Sequence, residues 1–166
     1  MSNDAIVLLK ADHKELKAVF KQFQKAGEDD TQKKGELVGR MIELLTVHTY
    51  LENELVYPEV RGQLPDLEDD ILESFEEHHV ADLLCHELST MSPDHERFDA
   101  KTTVLIENVL HHIEEEEQEW FPKVRENMGR KQLSELGERL LQMRQTAPRS
   151  PADPRAVKSA ADADGR

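Results

Sequence analysis

Eight histidines, set among 35 acidic and 21 basic side chains in 166 residues, are the first chemistry this sequence offers. Four of them recur at a fixed interval together with two carboxylates. His13 and His78 stand 65 residues apart, while His48 and His112, and likewise Glu52 and Glu116, stand 64 apart. His48-x-x-x-Glu52 and His112-x-x-x-Glu116 are i, i+4 pairs. On a helix such a pair lies about 40° apart around the axis and about 6 Å along it, so both side chains can face one ion. Four imidazoles are too nitrogen-rich a set for Mg²⁺ or Ca²⁺, and six ligands exceed what one tetrahedral zinc takes. The set suits two octahedral-leaning ions bridged by the carboxylates, leaving positions for solvent or a small molecule. Iron fits that description best, with manganese or zinc as alternatives.

The elements that must position these groups are helices. Ile6, Leu9, Leu16, Phe20 and Phe23 advance in steps of three and four, with His13 filling one core slot. A second stripe runs Leu37, Met41, Leu44, His48, Leu51, Leu55; a third runs Ile71, Phe75, His78, Ala81, Cys85, Leu88. The fourth runs Leu105, Val109, His112, Glu116, Trp120. Each stretch carries one histidine in mid-stripe, and the breaks fall at Gly27–Asp30, around Gly62–Asp66 and at Ser92-Pro93-Asp94. Ser92 before Pro93 reads as a helix start. The predicted fold is all-α: an up-down-up-down four-helix bundle of two similar helical hairpins over residues 1–128. A short accessory helix is expected over 129–146. Pro58 and Pro122, which follow Tyr57 and Phe121 at matching places in the repeat, should end or kink their helices. From Ala147 to Arg166 the only large aliphatic is Val157, so a disordered tail is expected there.

A histidine on an apolar stripe is ordinarily a packed core residue, and a carboxylate there is ordinarily a rim residue. Four histidines, one per helix, with two carboxylates at repeat spacing are hard to explain as packing. A buried carboxylate costs several kcal/mol unless paired or metal-bound, and no Lys or Arg occupies these stripes. Two adjacent pairs need a decision. Steps of 3, 7 and 10 from His78 reach Ala81, Cys85 and Leu88, whereas the same steps from His79 reach Asp82, His86 and Ser89. His112 is preferred to His111 because it has Glu116 at i+4 and lies ten residues before Pro122, as His48 does before Pro58. His111 is a candidate outer residue supporting the ligands. His79 and His86 read as solvated, and His95 as part of the fourth helix's first turn. Tyr50, Tyr57, Trp120 and Phe121 read as packing, and Cys85 as a buried thiol.

Composition narrows the rest. A formal charge of −14 argues against nucleic acid and anionic membrane as partners. One cysteine excludes an internal disulfide framework, and no apolar run approaches the roughly 20 residues that span a bilayer. The start Met1-Ser2-Asn3-Asp4 lacks signal-peptide character, so a cytoplasmic protein is expected.

The pattern His13 … His48-x-x-x-Glu52 … His78 … His112-x-x-x-Glu116, with Tyr-Pro and Phe-Pro after the two motifs, resembles the hemerythrin-like (HHE cation-binding) domain family over about residues 4–128. The resemblance implies a non-haem di-iron centre handling O₂, NO or peroxide, or sensing or storing iron. It assigns His13, His48, His78 and His112 as terminal ligands and Glu52 and Glu116 as bridges. The oxygen-carrying hemerythrins have a further histidine four residues after the third-helix ligand; here that residue is Asp82, a candidate additional ligand. A hard anionic oxygen there, or an open position if it does not bind, favours a resting diferric pair. The expected function is therefore reaction with hydrogen peroxide, catalase- or peroxidase-like, in oxidative-stress defence. The alternatives are an O₂-, NO- or iron-binding sensor or storage module without turnover, and a structural bundle with incidental histidines.

Overall fold

The structure, a computed structural model, describes residues 3–156, and within them every regular element is helical. Helix α1 (Ala5–Lys25) starts under Asp4, whose carboxylate accepts from the Val7 backbone N–H at 2.9 Å. Helix α2 (Thr31–Leu51) is capped in the same way by Asp30. After it come α3 (Tyr57–Gln63), a 3₁₀ turn at Pro65–Leu67 and α4 (Glu68–Ser89). Then follow α5 (Phe98–Glu115), α6 (Phe121–Asn127) and α7 (Arg130–Arg144). Helix α1 packs on α2, α2 on α4, α4 on α5 and α5 on α1, which closes the four-helix ring. The accessory helix α7 lies across α1 and α2.

The core is two apolar clusters. Leu9, Leu51, Phe75 and Trp120 belong to one; Leu16, Leu45, Ala81 and Val109 belong to the other. His13, His48, His78 and His112 fall between these residues along their helices, so the histidines form a polar layer between two hydrophobic ends. On α2 the buried stripe is Val38, Met41, Leu45 and His48, one step round from the expected Leu37 and Leu44. Those two are only half-buried, and Leu44 borders the face under Arg144 and Arg149.

Three local expectations are corrected. Ser92-Pro93 does not start the fourth helix: Ser92 donates to Asp94 in a turn and α5 begins at Phe98. Pro93 instead packs on Gly35, where an added Cβ would lie 2.8 Å from the proline ring. His95 therefore precedes α5, where its Nδ1 accepts from the Arg97 N–H. Neither Pro58 nor Pro122 ends its helix. One π turn precedes each, Glu52–Val56 and Glu116–Trp120, closed by the Tyr57 N–H on the Glu52 carbonyl and the Phe121 N–H on the Glu116 carbonyl. A proline has no N–H for the carbonyl four residues back and clashes with it in a regular α-helix; the wider turn accommodates both. Finally, the described part of the expected tail, residues 147–156, is held to the bundle. Ala147, Pro148 and Pro151 are buried, and Arg149 reaches Glu43 at 3.0 Å. Small and cyclic side chains with little freedom to lose dock at low cost in entropy. Residues 157–166 lie outside the described residues. No described helix is long and apolar enough to cross a membrane.

Candidate metal centre

Each π turn begins at one of the motif glutamates, so the carboxylates of Glu52 and Glu116 enter the bundle where the backbone widens. Both are 0% exposed. The four histidines are 1–5% exposed and turn their Nε2 atoms to the same place. His48 Nε2 lies 3.0 Å and His78 Nε2 3.2 Å from Glu52 Oε1. His13 Nε2 lies 3.2 Å and His112 Nε2 3.3 Å from Glu116 Oε1. The donor atoms form two sets, each within 4.8 Å: His13, His48, Glu52 and Glu116, and then Glu52, His78 and His112. Glu52 is common to both.

The imidazoles are oriented from behind by a crossed ring of partners. Asp12 accepts from His48 Nδ1–H at 3.0 Å, and Glu77 from His112 Nδ1–H at 2.8 Å. Asn53 accepts from His78 Nδ1–H at 2.7 Å, and Glu117 from His13 Nδ1–H at 2.6 Å. Such outer partners fix the tautomer, leaving Nε2 as the free donor. Asp12 and Glu77 each directly precede a predicted ligand; Asn53 and Glu117 each directly follow one. The repeat therefore carried the signal.

Tyr57 is corrected from packing to a member of the site. Its hydroxyl donates to Glu116 Oε2 at 2.8 Å, lies 3.3 Å from Glu52 Oε1 and 3.1 Å from Nε2 of both His78 and His112. Its repeat counterpart Phe121 instead stacks on His13 at 5.9 Å between centroids. Asp82 and His111 are not brought to the centre. Asp82 accepts from Thr49 Oγ1 at 3.3 Å, and burial pushes its carboxyl up to about 7. His111 is 63% exposed and pairs with Glu115 at 2.9 Å. Cys85 is buried, and burial together with the nearby Asp82 pushes its thiol far above the usual range, which leaves it inert. His79 and His86 are exposed.

The electrostatics are those of a site built for cations. Burial opposes charge on His48, but Glu52 and the Asp12 bond override it and hold the imidazolium up to about 10. His112 is raised well above its ordinary value against the same burial, by Glu116, Glu52 and Glu77. His78 is lowered, by burial and by its charged neighbour His112. Burial also opposes ionisation of Glu52, yet the three facing imidazoles keep it well below the carboxylate range. Burial, then the charges of Glu116 and Glu52, hold the proton on Tyr57.

Beyond these ion-pair approaches of 3.0–3.3 Å, His13 Nε2, His48 Nε2, Glu52 Oε2 and Glu116 Oε1 are buried and form no hydrogen bond. Orphaned polar atoms are rare in folded proteins, and four at one point match the donor set of bound metal. A narrow cavity, with room for about one water-sized molecule, touches His48, His78 and His112 between walls of Leu16, Leu45, Ala81, Val109 and Ile113.

Comparison with known proteins agrees with this geometry. A 128-residue stretch, 77% of the chain, is 27% identical to a DNA nickase from Nostoc sp.. The chain spans only 35% of the length of that curated relative. The crystal structure of a hemerythrin HHE cation-binding domain-containing protein from Mycobacterium kansasii superposes with a TM-score of 0.71, covering 94% of this chain and 98% of that one at 21% identity. That likeness establishes a shared hemerythrin-like helical fold. Residues 4–124 match the pattern of the Hemerythrin HHE cation binding domain, and the chain belongs to that metal-cation-binding family.

Proposed function

We propose that this chain is a non-haem di-iron protein that decomposes hydrogen peroxide. The observation that carries the reading is the set of four orphaned donor atoms facing one another beside a cavity of water-molecule size. His13 and His48 would hold one ion and His78 and His112 the other, with Glu52 and Glu116 spanning the pair. Iron bound there supplies one-electron oxidation-state changes at two adjacent atoms. Asp82 is engaged with Thr49, and the small cavity lies against His48, His78 and His112, which is where a small exogenous ligand would enter.

The chain's own residues do the rest. The apolar walls exclude bulk water and larger substrates. Asp12, Glu77, Asn53 and Glu117 keep the imidazoles aimed inward. Tyr57 Oη holds a proton 2.8 Å from Glu116 Oε2, a short path for moving it between the hydroxyl and the carboxylate. The net reaction converts two H₂O₂ into two H₂O and one O₂, one peroxide being oxidised and the other reduced. No outside reductant is required.

The test is oxygen evolution from hydrogen peroxide by iron-loaded protein, together with metal analysis. We expect two irons per chain, and turnover abolished by His48→Ala or Glu52→Ala. A long-lived reversible O₂ complex without peroxide turnover would establish an oxygen-binding module instead. One zinc per chain, in protein made with ample iron, would sink the di-iron reading.

A further inference from the structure

Helix α5 and the π turn after it carry the sequence His111-His112-x-x-Glu115-Glu116, two His-x-x-x-Glu pairs one residue out of step. His112 and Glu116 face the bundle interior. His111 and Glu115, turned about 100° around the helix, face outward. Across the groove α4 supplies Glu77, and one donor atom from each of Glu77, His111 and Glu115 lies within 4.8 Å of the others. His111 Nε2 and Glu115 Oε1 are 2.9 Å apart and open to solvent, at 63% and 32% exposed. Glu73 and Glu119 are close enough to act on Glu115 as further negative charges.

Two features set this cluster apart from the acidic surface around it. The first is its imidazole: one nitrogen with two carboxylate oxygens is a donor set for divalent transition metals such as Fe²⁺, Mn²⁺, Co²⁺ or Zn²⁺, not for Ca²⁺ or Mg²⁺. The second is its position. Glu77 simultaneously accepts from His112 Nδ1 at 2.8 Å, and with Asn108 it borders the cavity that reaches His48, His78 and His112. Glu77 is thus separated from the buried Nε2 of His112 by that one imidazole ring. We infer that Glu77, His111 and Glu115 form a peripheral binding site for a divalent transition-metal ion, through which ferrous iron is captured on its way to the buried centre.

The inference rests on the di-iron reading, and cobalt lets the two fail separately. Iron-loaded protein is titrated with Co²⁺, with bound metal counted by elemental analysis and cobalt followed by its visible d–d absorption. We expect one additional cobalt per chain, weakened at least tenfold in His111→Ala and in Glu115→Gln, with iron content unchanged in both. Neither substitution touches the core. No cobalt uptake, or uptake unaltered by both substitutions, would overturn the site. Anaerobic mixing of metal-free protein with Fe²⁺ then tests the role. Both variants should fill to the same final iron content several-fold more slowly, and unchanged filling rates would overturn the capture role. A buried centre that never fills with iron would overturn the di-iron reading itself.

Discussion

The metal-free centre stores protons, and filling it has to expel them. His48 lies between Glu52, 3.0 Å from its Nε2, and Asp12, 3.0 Å from its Nδ1. Those two carboxylates outweigh burial and hold the imidazolium up to about 10; Glu116, Glu52 and Glu77 raise His112 in the same sense. A ligating imidazole must be neutral at the donor nitrogen. At neutral pH, removing the His48 proton about three units below its pKa costs roughly 4 kcal/mol of metal-binding free energy. With both rings protonated, apparent affinity should rise about a hundredfold per pH unit through neutrality. Calorimetric titration of metal-free protein with Co²⁺, in buffers of different ionisation enthalpy, reads the release directly. Close to two protons are expected per filled centre. The same groups set stability. The His48 pKa is raised above its unfolded value of 6.5, so its contribution is fully present below that pH and is lost as pH rises through about 10. The melting temperature of the metal-free protein should therefore decline across that window, and that of the loaded protein much less. Metal uptake with no proton release and no pH dependence would refute the charge state derived for the site.

Other perturbations separate the supporting parts. Asp12→Ala removes the bond behind His48 and should weaken metal binding roughly 10- to 100-fold in a chelator competition. Tyr57→Phe, which reproduces its repeat counterpart, should keep the metal but slow peroxide turnover; unchanged turnover would remove Tyr57 from the proton path. Gly137→Ala drives a Cβ into the Asn3 carbonyl oxygen, so denaturant melts should show a loss of roughly 1–3 kcal/mol with metal content preserved. Truncation after Thr146 exposes the faces under Ala147, Pro148 and Pro151 and should lower stability by about 1–2 kcal/mol without altering iron content.

What the sequence made legible follows from periodicity. The interval of 64–65 residues and the two His-x-x-x-Glu pairs select the six inward groups, because helical steps of three, four and seven fix a face regardless of what packs on it. Asp12 and Glu77 stand at equivalent places in the same repeat, yet nothing in the sequence singles them out. A residue next to a ligand is about 100° away, and only knowledge of the neighbouring helix tells that this direction meets another imidazole and not water. Tyr57 was hidden by the π turn: one extra residue in the turn rotates everything after it, and no α-helical wheel brings that hydroxyl inward. The docking of Ala147 and Pro148 depends on the groove beside α1 and α2, a tertiary property that local composition does not encode.

The crossing of the outer partners also bears on where such a chain comes from. Within each half one bond is internal, Asp12 to His48 and Glu77 to His112. The other is exchanged between halves: Asn53 serves His78, and Glu117 serves His13. A single hairpin thus leaves one of its own imidazoles without support, but two copies of one hairpin, facing each other across a twofold axis, would complete every bond. The present chain has the form of such a homodimer joined end to end. In one continuous chain the halves need not match where a homodimer's must, and here they differ: Asn53 against Glu117, and above all Tyr57 against Phe121. A symmetric ancestor would treat both metal positions alike. This chain places a hydroxyl beside the imidazoles of one half and an apolar ring beside those of the other, so the two sides of the centre are chemically unequal within equivalent scaffolding.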